Sequence, residues 1–228
     1  FSRYEVSGEN SDEFLDKLIA GSLPKVGRLN LAYFSDERGR IVTEMSIIRH
    51  SEKSFTLITA AAAQWHDLEL LKSNVSSEMD VKIVDESENF STFIVTGPNS
   101  RDLLSKITDA DLTLGWLTHQ KAKVLNIPCM LARVSFAGEL GWEIHVGNED
   151  APKIYNEIVN KKAKPFGMFA LNSLRIEKGY KAWKGDLSTD YSLLEAGLDR
   201  FIKFDKEIDF RGKKALQVER QRGSKKLF

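Results

Sequence analysis

The spacing of apolar and polar positions divides this chain into short, alternating strands and amphipathic helices. Tyr4 to Ser7 reads as a strand broken by Gly8, and Ser11 as the cap of a helix whose apolar positions Phe14, Leu15, Leu18 and Ile19 follow helical spacing. A loop over Gly21 to Gly27 precedes strands at Leu29 to Phe34, Ile41 to Arg49 and Phe55 to Ile58, with turns at Asp36 to Gly39 and Ser51 to Lys53. A helix follows over roughly Ala61 to Lys72. Further on, Arg133 to Val146 (RVSFAGELGWEIHV) alternates on both sides of FAGELG, which predicts a hairpin. Helices are expected over Asp150 to Lys162 and Phe169 to Lys178, a strand-like stretch around Phe201 to Phe204, and a short helix starting in DFRGKKAL.

The pattern also repeats. EVSGENSDEFLDKLI from Glu5 aligns with IVTGPNSRDLLSKIT from Ile94, placing Gly8 on Gly97, Asn10 on Asn99, Ser11 on Ser100 and Leu15 on Leu104, at the single offset 97 − 8 = 89. Each copy is followed by strands. The expected fold class is therefore α+β, with two pseudo-symmetric β-α-β-β half-units over residues 1–92 and 93–228, packed about a pseudo-two-fold axis with a cleft suited to a ligand.

Composition narrows the chemistry. With 33 basic and 33 acidic residues the net charge is +0, so no global field draws nucleic acid or an anionic membrane, and neither is an expected partner. A single cysteine and four scattered histidines exclude a disulfide framework and a Cys-rich zinc site, and no metal is expected. No apolar run approaches the ~18 residues a bilayer span needs. The chain opens on Phe1 directly into a strand, as a processed piece or fragment would. A Gly-rich dinucleotide or phosphate loop, a G-x-S-x-G elbow and an H-E-x-x-H pair are all missing, which argues against hydride transfer by this chain alone, nucleotide hydrolysis and serine-hydrolase chemistry. His50, His66, His119 and His145 have no ligand spacing and read as structural or surface residues.

What remains is a set of acids and aromatics. Glu143 lies within a strand between Trp142 and Ile144, where a carboxylate faces either solvent or a partner that meets its acceptors. Glu44 shares a strand face with Val42, opposite Ile41, Thr43, Met45 and Ile47. It is either a solvent-facing acid or a pocket carboxylate able to hold a proton or stabilise a cationic nitrogen. Arg175 and Glu177 lie on a helix, where either can form a structural ion pair with a neighbour, and Trp183 just beyond can pack in the core or stack on a planar ligand. Glu139 reads as a turn residue.

ERGRIVTEMSI, ITAAAAQWHDL, VTGPNSRDLLSKIT, VSFAGELGWEIHV, ALNSLRIEKGYKAW and LLEAGLDRFIKFDKEIDFRGKKAL together resemble the folate-dependent aminomethyltransferases, the glycine-cleavage T-protein family. The resemblance is nearest to the C-terminal halves of dimethylglycine and sarcosine dehydrogenases. It implies tetrahydrofolate binding and capture of an oxidised N-methyl group as 5,10-methylenetetrahydrofolate, with FAD confined to a separate domain or subunit. It implies that Glu143 accepts hydrogen bonds from the pterin, that Glu44 attends the reacting nitrogens, and that Trp142, His145, Arg175, Trp183 and Leu31 line the folate site. His145 and Leu31 stand where relatives carry tyrosine, and Glu44 where they carry aspartate. The resemblance further implies a missing C-terminal barrel and a bacterial cytoplasmic or mitochondrial matrix location. Two other functions fit the same residues: a folate-binding scaffold without transfer, and demethylation of an S-methyl substrate.

Overall fold

The computed structural model describes residues 1–226, and the chain divides into two compact units, Phe1–Asp85 with Ala182–Phe228 and Glu86–Lys181. The first is built on a five-stranded antiparallel sheet of β1 (Ser2–Ser7), β2 (Leu29–Ser35), β3 (Ile41–Ser51), β4 (Ser54–Thr59) and β5 (Lys82–Asp85), in the order β2-β3-β4-β1-β5. One sheet face packs on α1 (Ser11–Leu18) and α2 (Gln64–Ser73). The core there joins Tyr4, Phe34, Met45, Ile47, Phe55 and Leu57 to Phe14, Leu15, Leu68 and Leu71. These residues sit where the alternation placed them, because a strand turns every second side chain to the same face.

The opposite face, at the β2–β3 end, carries Tyr33 and Ile41 and is covered by the C-terminal segment through Leu187, Leu193, Leu194, Leu198 and Phe210. Backbone hydrogen bonds fasten that segment: Ile41 N–H to Tyr191 O (3.0 Å), Leu193 N–H to Gly39 O (3.3 Å) and Lys203 N–H to Ala20 O (2.9 Å). The unit boundaries thus differ from the expected division at residue 92. A sheet with apolar residues on both faces needs two covers, and the helices following β1 and β4 supply only one.

The second unit holds a four-stranded antiparallel sheet of β6 (Phe90–Thr96), β7 (His119–Val124), β8 (Ile127–Ala132) and β9 (Gly141–Gly147), in the order β6-β9-β8-β7. Trp142, Ile144 and Val146 pack with Leu104 of α3 (Ser100–Leu104) and with Ile154 and Ile158 of α4 (Ala151–Asn160). α5 (Met168–Glu177) follows; in the first unit the last helix is α6 (Lys213–Arg222).

The internal repeat is visible in the backbone. Each unit runs strand, helix and three strands, and β2-β3-β4-β1 has the same order as β7-β8-β9-β6. Gly8 and Gly97 take φ of +123° and +110°, and the carbonyl of each accepts a hydrogen bond from the serine three residues on, Ser11 N–H (3.0 Å) and Ser100 N–H (3.1 Å).

Several local expectations are corrected. Asn10, not Ser11, occupies the cap position of α1, and its side chain accepts from Asp80 N–H instead of capping the helix, while the Ser11 hydroxyl is buried without a partner among the described residues. Ile19 leaves the helix and bridges to Phe34. The stretch at Phe201 to Phe204 begins in a 3₁₀ turn, Asp199–Phe201, rather than a strand. The Arg133–Val146 hairpin is wider than expected: the first strand ends at Ala132, and residues 133–140 form the connection. Gly138 in it has φ +76°, and a Cβ there would lie 2.5 Å from Lys178 Cγ. β7 escaped the sequence reading because its turn uses Leu125 and Asn126, both at positive φ, where a glycine would ordinarily mark the hairpin.

Candidate functional site

In the first unit, β3 carries Glu44 directly opposite Tyr33 of β2. The Tyr33 phenol hydrogen-bonds the Glu44 carboxylate, and burial together with that neighbouring charge pushes its pKa well above the ordinary tyrosine value, so the hydroxyl stays protonated as a donor. The Trp183 backbone N–H donates to Glu44 Oε1 (3.2 Å). Glu44 is therefore a partly buried carboxylate oriented by two donors, on the face it was expected to occupy. Tyr33 was missed by sequence reasoning. A bulge between Phe34 and Ser35 shifts the register, so counting back from the Asp36–Gly39 turn does not pair residue 33 with residue 44. Leu31 lies two residues away on the same face and is exposed.

The Trp183 indole lies with its centroid 6.3 Å from that of His66, and its Nε1 is buried with no hydrogen-bond partner among the described residues. His66 Nδ1 lies 2.8 Å from Oδ1 of Asp67, and the other Asp67 oxygen accepts from the Thr59 hydroxyl at 2.7 Å.

In the second unit, Glu143 and His145 share one face of β9, pointing opposite to Trp142. Both are buried, at 8% and 1% exposure. The Thr92 hydroxyl meets His145 Nδ1 at 3.0 Å, and His145 Nε2 stands 3.3 Å from Glu143 Oε2, within charge-pairing range but without hydrogen-bond alignment. That imidazole is the one polar partner of the Glu143 carboxylate among the described residues. β9 corresponds to β4 in the repeat, not to β3, so Glu143 is no repeat counterpart of Glu44.

Two expected site residues have other surroundings. Trp142 is 1% exposed in the core, with the Arg133 guanidinium 4.7 Å and the Arg101 guanidinium 5.7 Å from its ring centroid. Strand alternation turns it away from Glu143, which removes it from that carboxylate's side. Arg175 is buried on α5, donating from Nε to Asn172 Oδ1 (2.7 Å) and from NH1 to Tyr180 O (2.8 Å), and so holds the end of the helix. Burial pushes the Cys129 thiol up to about 11, so it is no nucleophile near neutral pH.

These geometries define a double-sheet α+β fold of the kind found in the glycine cleavage aminomethyltransferases. The solved aminomethyltransferase T of Bartonella henselae superposes at a TM-score of 0.88 with 21% identity, covering 98% of this chain and 62% of that one. The chain belongs to the folate-dependent aminomethyltransferase family, the profile of the GCVT N-terminal domain matching residues 1–206. It is 36% identical to the mitochondrial dimethylglycine dehydrogenase of Rattus norvegicus over 99% of its length but 27% of that protein. It is 31% identical to the aminomethyltransferase of Listeria innocua, over 96% of this chain and 61% of that one. The chain thus spans about a quarter of the first relative and three fifths of the second.

Proposed function

We propose that the chain binds tetrahydrofolate and serves one-carbon transfer, receiving the oxidised N-methyl group of dimethylglycine or sarcosine as 5,10-methylenetetrahydrofolate. Glu143 carries this reading. A carboxylate largely buried on a strand, with one imidazole beside it and a side chain still 11% exposed, keeps acceptor capacity available to a ligand. The amino and ring N–H groups of a pterin are donors of matching geometry, and a bidentate, charge-assisted pair is the strong form of that contact. Glu44, oriented by Tyr33 and Trp183, is suited to stabilise positive charge on the one-carbon unit as it forms. Leu31, His145, Arg175 and Trp183 remain proposed folate-site residues, and Trp142 acts through packing.

The dimethylglycine dehydrogenase relatives support a methylated glycine derivative as donor, with a flavin-bearing domain or subunit performing the oxidation. Names among the relatives that include mitochondrial dehydrogenases and bacterial aminomethyltransferases support the mitochondrial matrix or the bacterial cytoplasm as location. The test is a tetrahydrofolate titration of the chain and of Glu143→Gln. Losing one charge-assisted contact of about 1.5–3 kcal/mol weakens binding by roughly 10- to 100-fold. Equal affinity of the two proteins, or no binding by either, refutes the assignment.

A further inference from the structure

We propose that His66, set by Asp67, is the proton acceptor for the transfer attributed to this chain, an inference that rests on the reading above. The stoichiometry requires such a group. Moving a methylene from an iminium to the folate replaces two acceptor N–H bonds by two N–C bonds and returns one hydrogen to the departing amine as its C=N electron pair goes back to nitrogen. One proton is left over, with no net change in oxidation state.

His66 is built to take it. It lies in the first turn of α2, next to Asp67, whose side chain is completely buried and accepts from the Thr59 hydroxyl at Oδ2. The remaining oxygen, Oδ1, faces His66 Nδ1 at 2.8 Å, so the ring hydrogen sits on Nδ1 and the lone pair on Nε2. The same ring is about half exposed, its side chain at 49%, so Nε2 can both meet a reactant and pass its proton to water. A histidine fixed only for packing does not need a buried carboxylate to choose its tautomer.

Its location agrees. The ring lies 6.3 Å from the Trp183 indole, and Trp183 is the residue whose backbone N–H holds Glu44. Trp183 Nε1–H, buried with no acceptor among the described residues, independently marks this place as one where a polar ligand would find a donor. Among the described residues, Asp67 and the Trp183 indole are the groups against the imidazole, with Lys184 Nζ over the indole at 5.2 Å. The pair divides the work: Glu44 faces developing positive charge, and His66 removes the proton.

The experiment follows 5,10-methylenetetrahydrofolate formation from a supplied iminium donor at saturating tetrahydrofolate, from about pH 5.5 to 9. The wild-type rate is expected to rise with pH along a one-proton limb. His66→Gln should lose that limb and about 10²-fold in rate while binding tetrahydrofolate as before, and His66→Ala should regain rate on addition of imidazole. Unchanged rate and pH profile in His66→Gln, with wild type active, overturn the assignment of His66 alone. Absence of tetrahydrofolate binding by wild type overturns the underlying reading and this one with it.

Discussion

Lys206→Met tests how the C-terminal segment is fastened to the first unit. The Lys206 ammonium is 6% exposed, and it donates to Asp16 O, to Asp16 Oδ1 (3.0 Å), to Ile19 O (3.1 Å) and to Gly21 O (3.0 Å). Asp16 lies in the last turn of α1, where carbonyls lack intrahelical partners and the helix dipole favours a cation. Hydrogen bonds to a charged group contribute roughly 1.5–3 kcal/mol each, but burying an ammonium costs several kcal/mol, so most of the gross gain is spent. Removing one side of a buried pair costs about 3–5 kcal/mol, and the Asp16 carboxylate keeps some access to water at 23% exposure, which places the expected loss near 3 kcal/mol. Urea unfolding monitored by tryptophan fluorescence measures it. Burial holds the Lys206 ammonium below its ordinary value of 10.5, with Asp16 opposing the shift. The unfolded chain then binds this proton more readily than the folded one, so wild-type stability gains a rising limb as pH climbs toward 10.5, and the variant lacks it. A loss under ~1 kcal/mol, or an identical limb in Lys206→Met, would refute the reasoning.

The two repeat glycines should part company under substitution. Gly8→Ala puts a Cβ 2.3 Å from Asp80 O at φ +123°, whereas Gly97→Ala at φ +110° meets nothing within 4 Å. Thermal or urea unfolding should show about 1–3 kcal/mol for Gly97→Ala from backbone strain alone and distinctly more for Gly8→Ala; equal losses would discount the contact. Trp142→Ala should destabilise the second unit by about 3–5 kcal/mol by cavity formation, read from its denaturation midpoint, a cost that a surface aromatic would not carry. Asp36 accepts from Arg38 N–H and Arg40 N–H, both at 2.9 Å, and although burial alone would raise its pKa, these bonds and the Arg38 guanidinium hold it below the ordinary 3.8. Its contribution is complete above that value and disappears as pH falls through the lowered one, so Asp36→Asn should lose stability at neutral pH and converge with wild type in strong acid.

The alternation of Thr43, Met45 and Ile47 and the 89-residue repeat were sufficient to give the class of fold, because side-chain period and turn glycines are local properties of the chain; Ile41 departs from that face because the bulge beside it shifts the register. The family was legible for the same reason, since its motifs are contiguous segments. Glu44 and Glu143 stood out by being acids inside otherwise apolar strands. What they meet depends on pairing across distant segments. Tyr33 reaches Glu44 through a bulged register, Trp183 approaches it from 139 residues further along, and His145 faces Glu143 because β9 presents both on one side while turning Trp142 into the core. The return of residues 182–226 to the first sheet was equally hidden, since residues 182–212 have no regular period and are held by single hydrogen bonds and by the buried ammonium of Lys206. Local sequence selected the carboxylates; long-range packing decided which donors surround them.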